Sequence, residues 1–278
     1  MEKPIKETIA EIDAFLKAYL PQIKAPVNRE EAWRALRRIE RSFLTNRCFF
    51  LVFNLKQQDI TWSHNLPARL PFLDKKRDVD HTLHFTDFVG RVHPNYRWWF
   101  LEHSLCTFEL FWEEAIRRRT DMLKQTYSLQ FPVLLKDGRY WWVSQHVMPL
   151  ELDGHKRLVS HLTEYHVVGP FQKQLPPMPT LLFGSDRRMD LEKKQLARFA
   201  KKFLQRLDLR EEELALVRLY LARPEISIPK AAEVLGISPN TVKKYNRRIV
   251  RRAGSLIPFD FRSAKEAVLF CQGQIDRL

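Results

Sequence analysis

Cysteine is scarce in this chain: three residues in 278 (Cys48, Cys106 and Cys271), far apart, odd in number and without a CxxC pair. Neither a disulfide framework nor a cysteine-based zinc site is expected, and the reducing cytoplasm is the expected compartment. No apolar run approaches the roughly 18–20 residues of a membrane span. The opening Met1-Glu2-Lys3-Pro4 has no leader character, so no membrane is expected among the partners. Also missing are a glycine-rich phosphate loop, a Gly-x-Ser-x-Gly elbow and an HExxH pair, so no enzyme is expected. The chain opens on helical patterns rather than alternating βα units, so no receiver domain carrying a phosphorylated Asp is expected. What is present suffices for a buried core: 45% of residues are hydrophobic, and the length allows about two domains.

Acid is absent where base is densest. The formal net charge is +14, and residues 181–278 hold 21 Lys+Arg against 12 Asp+Glu, a net +9. Within residues 238–254 there are six basic side chains and no acid. A basic excess concentrated in this way predicts a polyanionic partner.

Residues 6–20 and 28–44 have amphipathic helical periodicity, the second with Asn28 and Glu31 as an N-cap pair. Residues 48–55 and 59–63 form strand patterns around the turn Lys56-Gln57-Gln58. Helical spacing returns in the second half of 83–118. Three long alternating segments follow, 127–136, 139–148 and 156–168, separated by the hairpin signals Asp137-Gly138 and Asp153-Gly154. Residues 169–180 are proline-rich and predict a linker outside any sheet or helix. From Met189 onward the pattern is helical throughout.

Three helices are predicted in succession near the C-terminal end. The first spans about 208–222, with Asp208 as N-cap and Leu214, Val217 and Leu221 buried. The second spans about 227–235, with Ala231 and Ala232 allowing close packing, and Gly236 supplies a left-handed turn. Ser238-Pro239 then starts a third helix reaching about residue 252. On a helical wheel, Val242, Tyr245, Ile249 and Ala253 gather on one side, whereas Lys243, Lys244, Arg247, Arg248, Arg251 and Arg252 spread over the other. A short helix, a glycine turn and a helix with one apolar and one wholly basic face make a helix-turn-helix shaped for the major groove. A solvated helix face normally mixes signs; this one does not.

Leu207-Asp208-Leu209-Arg210-Glu211, together with Ser227-Ile228-Pro229-Lys230-Ala231-Ala232-Glu233-Val234-Leu235-Gly236-Ile237-Ser238-Pro239-Asn240-Thr241-Val242-Lys243, resembles the LuxR-type helix-turn-helix. That family shows L-T-x-R-E, then S-x-K-E-I-A-x-x-L-x-I-S-x-x-T-V-K. The Ile-Ser-x-x-Thr-Val-Lys run at 237–243 is its most specific part, and a last helix opening on Ser263 and Glu266 completes it. The resemblance implies binding to double-stranded DNA as a homodimer, with Lys243, Lys244 and Arg247 toward base edges and Asn240, Thr241, Arg248 and Arg251 toward phosphates. Asp208, Ala231 and Tyr245 depart from the family's Thr, Ile and His, which leaves the target sequence open.

Between 45 and 168 the order of two strands, a helical middle and three long strands is similar to a PAS domain. Phe50-Leu51-Val52-Phe53-Asn54-Leu55, Val92-His93-Pro94 and Lys136-Asp137-Gly138-Arg139-Tyr140-Trp141-Trp142 stand where its first hairpin, its His-Pro element and its Asp-Gly-x-x-x-Trp hairpin occur. The resemblance implies a sensory and dimerising module with room for a small-molecule ligand, and no cofactor is expected. Asn46-Arg47-Cys48-Phe49 is a scrambled and misplaced version of a flavin-reactive run, which excludes that photochemistry. His81 and His84, with His93, are the histidines of a rival reading as a haem or metal sensor. A second rival is a co-regulator that docks an acidic protein. The expected architecture is therefore α+β followed by all-α: N-terminal helices (1–44), a PAS-like antiparallel sheet with helices (45–168), a linker and connecting helix (169–206), and a four-helix LuxR-type domain (207–278).

Overall fold

The computed structural model describes residues 2–42, 48–57, 59–64, 85–117, 122–174, 176–177, 179–183, 186–187, 189–257 and 259–271. Helices α1 (Glu2–Tyr19) and α2 (Arg29–Ser42) precede the hairpin of β1 (Cys48–Asn54) and β2 (Asp59–His64). Helices α3 (Phe85–Arg91) and α4 (Arg97–Arg117) lead to three long strands, β3 (Gln125–Leu134), β4 (Tyr140–Leu152) and β5 (Leu158–Pro170). Two short strands, β6 (Thr180–Phe183) and β7 (Asp186–Arg187), complete one antiparallel sheet of order β2-β1-β5-β4-β3-β6-β7. Five helices follow: α5 (Met189–Arg206), α6 (Glu211–Ala222), α7 (Ile228–Leu235), α8 (Pro239–Leu256) and α9 (Ala264–Cys271). The expected class, an antiparallel α+β unit followed by an all-α one, is what the chain forms.

Alternation along the strands divides the sheet into two faces. Phe49, Leu51, Tyr127, Leu129, Phe131, Val143, Val147 and Tyr165 belong to the main core together with Phe88 and Phe100 of α3 and α4. On the other face, Phe50, Val52, Leu150 and Leu162 pack under Ala32 and Leu36 of α2. Asn28 does not cap α2 with its side chain, as the sequence predicts; its amide donates to Leu150 O (3.0 Å) and accepts from Leu152 N–H (2.9 Å), extending the pairing of β4.

The proline-rich segment departs most from expectation. Strand β5 runs on through Gly169 and Pro170, opposite Trp142 and Trp141, past a register shift at Trp142/Val143. Proline is tolerated there because β1 pairs with β5 only as far as His166, which leaves position 170 with an open edge on that side. Phe171 then stacks on His93 (4.5 Å), Tyr96 Oη donates to Gln174 O (2.7 Å), and Trp142 Nε1 donates to Gln172 O (3.0 Å). Residues 180–183 pair with β3 as an added strand. Much of the predicted linker is thus part of the sheet domain.

Helix α5 belongs to two packing interfaces. Phe199 and Phe203 lie against Trp98 of α4 (5.4 and 5.8 Å between ring centres), and Trp99 meets Phe199 and Phe270 of α9. One apolar core therefore runs from the sheet through α5 to Ala253, Leu256, Ile257, Phe261 and Phe270. A second, smaller core holds Leu216, Val217, Tyr220, Ala231, Ala232, Val242, Ile249 and Val268 together. No helix among the described residues is long and apolar enough to cross a membrane.

Candidate nucleic-acid interface and sensor cavity

Local chemistry fixes the helix-turn-helix. Ser227 Oγ accepts from Lys230 N–H at the start of α7, with proline in the first turn. Gly236 adopts φ 64°, a left-handed backbone that glycine takes without a Cβ clash. Ile237 N–H closes the turn onto Ala232 O (3.0 Å). Ser238 caps α8 by accepting from Thr241 N–H (3.1 Å), and its hydroxyl also meets that of Thr241 at 2.9 Å. Helix α8 reaches Leu256, one turn beyond its predicted end, because Leu256 and Ile257 are drawn into the main core.

Helix α6 starts differently from its prediction. Asp208 is not its N-cap; it lies in the preceding turn at φ 49°. The cap position is Arg210, whose N–H donates to the carboxylate of Glu213 (3.1 Å). The buried stripe is correspondingly Leu216, Val217 and Tyr220, with Leu214 and Leu221 at its edges.

Lys243, Lys244, Arg247 and Arg251 are exposed on one face of α8, with Asn240 exposed at its N-terminal end. Thr241 is half-buried and tied to the cap. Arg248 turns inward: its guanidinium reaches the fully buried Glu213 at 2.9 Å, an ion-pair contact whose angle falls short of a hydrogen bond. Its charge is neutralised within the domain rather than presented outward. Arg252 likewise donates to the carbonyls of Leu207 and Asp208 at the end of α5. Wheel position alone does not separate these two arginines from the outward-facing set, because their partners come from other helices.

Within the sheet domain, a cavity of about 110 Å³ lies between the inner sheet face, α4 and α1. Its walls are mostly apolar, with Ile12, Phe15 and Leu16 of α1 forming one side. Gln145 Nε2 donates to Tyr165 Oη (3.1 Å), while Gln145 Oε1 is buried in the lining with no hydrogen-bond partner among the described residues; the buried Tyr127 Oη lies beside Thr107 and Gln195. Phe100 lines this cavity, whereas Tyr96, Trp98 and Trp99 are core. Sequence reasoning did not identify Gln145, Tyr127 or Tyr165, since only strand pairing brings them together. His93, of the rival metal reading, accepts from Asn95 N–H (3.3 Å) and lies among Tyr96, Tyr140 and Phe171. His81 and His84 lie outside the described residues.

His161 of the cavity wall is buried, and desolvation lowers its pKa to about 4. His103, wedged between Trp99 and Phe199, is pushed well below the ordinary value for the same reason. The folded state then binds fewer protons than the unfolded chain between the unfolded value, about 6.5, and the depressed one. Stability should fall as pH drops through that window, by on the order of 2 kcal/mol at pH 5 from His161 alone. Burial of Glu102 raises its pKa and offsets part of this loss. Urea midpoints at pH 7 and pH 5 check it: His161→Phe should reduce the pH dependence, and an unchanged slope would refute the assignment.

No protein-family model matches the chain, and no curated protein matches it in sequence. Among solved structures, the VqmA dimer of Vibrio cholerae, a LuxR-type receptor, is similar at 15% identity over 87% of this chain and 87% of that one, with a TM-score of 0.33. The N-terminal domain of a diguanylate cyclase with a PAS/PAC sensor, from Marinobacter aquaeolei, is 13% identical over 44% of this chain and 96% of that one, with a TM-score of 0.32. Escherichia coli SdiA is 11% identical over 96% and 99% of the two chains, at a TM-score of 0.23. At such identities and TM-scores no property passes from these proteins to this chain.

Proposed function

We propose that this chain is a cytoplasmic, non-catalytic transcription regulator that binds double-stranded DNA as a homodimer and responds to a small molecule. The observation that carries the reading is the exposed face of α8: Lys243, Lys244, Arg247 and Arg251 together, within a stretch that holds no acid, on a helix fixed by the Gly236 turn and the Ser238 cap. Lys243, Lys244 and Arg247 face base edges, and Asn240, Thr241 and Arg251 lie toward phosphates. Arg248 keeps its structural partner Glu213.

The cavity supports the sensory half. About 110 Å³ is of the order of an apolar cavity that admits a benzene-sized molecule. Gln145 Oε1 offers an acceptor, so the ligand class is a single-ring compound carrying at least one hydrogen-bond donor. Because α1 both walls the cavity and touches α5 through Glu7 and Glu11, occupancy is transmitted to the helix that leads into the DNA-binding unit.

Selection from a pool of random duplexes with the full-length protein at near-physiological salt tests the reading. An enriched motif with twofold symmetry is the expected result. Weak binding that fades steeply with salt, with no enriched motif, would reduce the basic face to non-specific phosphate contact and overturn it.

A further inference from the structure

The outer face of the sheet carries a cluster that the regulatory reading does not use. In the antiparallel pairing of β1 and β5, Cys48 lies directly opposite His166, and Glu164 stands two residues before His166, on the same face. Cys48 Sγ and His166 Nδ1 are 2.9 Å apart, and His166 Nε2 is 2.7 Å from Glu164 Oε1. One donor atom from each of the three side chains lies within 4.8 Å of the others. We propose that Cys48, His166 and Glu164 form a binding site for a borderline-soft divalent cation of the Zn²⁺ class.

The donor set selects the ion. A thiolate and an imidazole are poor partners for Mg²⁺ or Ca²⁺, which take oxygen ligands, and good ones for Zn²⁺. With Zn–S near 2.3 Å and Zn–N or Zn–O near 2.0–2.2 Å, tetrahedral ligand atoms stand roughly 3.3–3.6 Å apart. Side-chain rotations on two fixed strands cover the difference from the present spacing. His166 turns Nδ1 toward Cys48, and the Glu164 carboxylate, which meets its other ring nitrogen, swings to the cation as the third ligand. Cys48 is buried and anchored in β1, whereas the side chains of His166 (40% exposed) and Glu164 (15%) open the site to solvent. Entry is therefore possible, and a water completes the coordination. His146, with its ring centre 5.4 Å from that of His166, is held between Ser128 Oγ (2.6 Å) and Ser144 Oγ (3.2 Å), and forms a wall rather than a ligand. Binding displaces the thiol proton of Cys48 to solvent, so affinity increases with pH.

Co²⁺ is the probe, added to full-length protein that has been stripped with a chelator and kept reduced. One equivalent per chain should produce a thiolate-to-cobalt charge-transfer band in the near ultraviolet and the visible bands of tetrahedral cobalt, both removed by Zn²⁺. Cys48→Ser should abolish the charge-transfer band, and His166→Gln should weaken cobalt binding by at least about tenfold. Circular dichroism of each variant identifies any that fails to fold, in which case the other still decides. A folded wild-type protein without the band, or a band that survives Cys48→Ser, would overturn the site; the latter would place cobalt on Cys106 or Cys271.

Discussion

Lys243→Glu is expected to lower affinity for the selected duplex about a hundredfold or more while leaving the fold unchanged. Lys243 is exposed on α8 and, among the described residues, makes no ion pair, so its replacement costs the folded state little. In the complex, a base-edge contact contributes about 1–3 kcal/mol, and reversal adds repulsion from the phosphates. With about 1.4 kcal/mol for each factor of ten, the two together give the stated loss. The measurement is a fluorescence-anisotropy titration at fixed salt, with sedimentation of the free protein alongside it. Unchanged DNA affinity would transfer the basic face to an acidic protein partner. Loss of self-association would mean instead that α8 contributes to the dimer.

Lys202→Met should destabilise the whole chain by about 3–5 kcal/mol at pH 8, the typical cost of removing one partner of a buried ion pair. Lys202 of α5 stands 3.1 Å from Glu11 of α1, and 3.3 and 3.4 Å from Glu102 and Glu109 of α4. Glu102 is fully buried, and its second oxygen accepts from Thr8 Oγ1 (2.8 Å). Burial raises the pKa of Glu102, and the Lys202 charge opposes that rise. Burial alone would depress the Lys202 amine, but the surrounding carboxylates hold it above its usual value. Without the lysine, the folded-state pKa of Glu102 moves further above the unfolded value. The penalty is then present above that folded pKa and relieved as pH falls through it, so the variant should lose less at pH 5 than at pH 8. Glu102→Gln in the same background should restore much of the loss. Urea midpoints at both pH values decide; a loss below about 1 kcal/mol with no pH dependence would mean a solvated surface cluster.

What the sequence made legible depended on how local the signal was. Gly236, Ser238 and the two alanines of α7 act within a few residues of themselves, and the helix-turn-helix stands where they placed it. The Asp137-Gly138 hairpin is equally local: Gly138 adopts φ 77°, and Asp137 accepts from Arg139 N–H and Trp141 Nε1. Asp208 failed as a cap because Arg210 N–H with Glu213 satisfies the same need without it. Residues 180–183 become a strand only because β3 offers them an edge, which nothing in their neighbourhood announces. The partners of Arg248, Lys202 and Cys48 are 35, 191 and 118 positions away (Glu213, Glu11 and His166), so spacing rules that look for CxxC pairs or helix-face charges pass over them.

Because α5 packs against both α4 and α9, the C-terminal helical unit is not hung on a tether. For the operator of the proposed regulator this amounts to a ruler. A tethered reader lets the same dimer accept half-sites at several separations, since slack absorbs the mismatch. In the proposed regulator, a reader fused to the sheet domain would fix both the distance and the rotational phase between the dimer's two recognition helices. Half a helical turn of extra DNA between half-sites would then turn one of them to the far side of the duplex, where no slack in the protein can follow it.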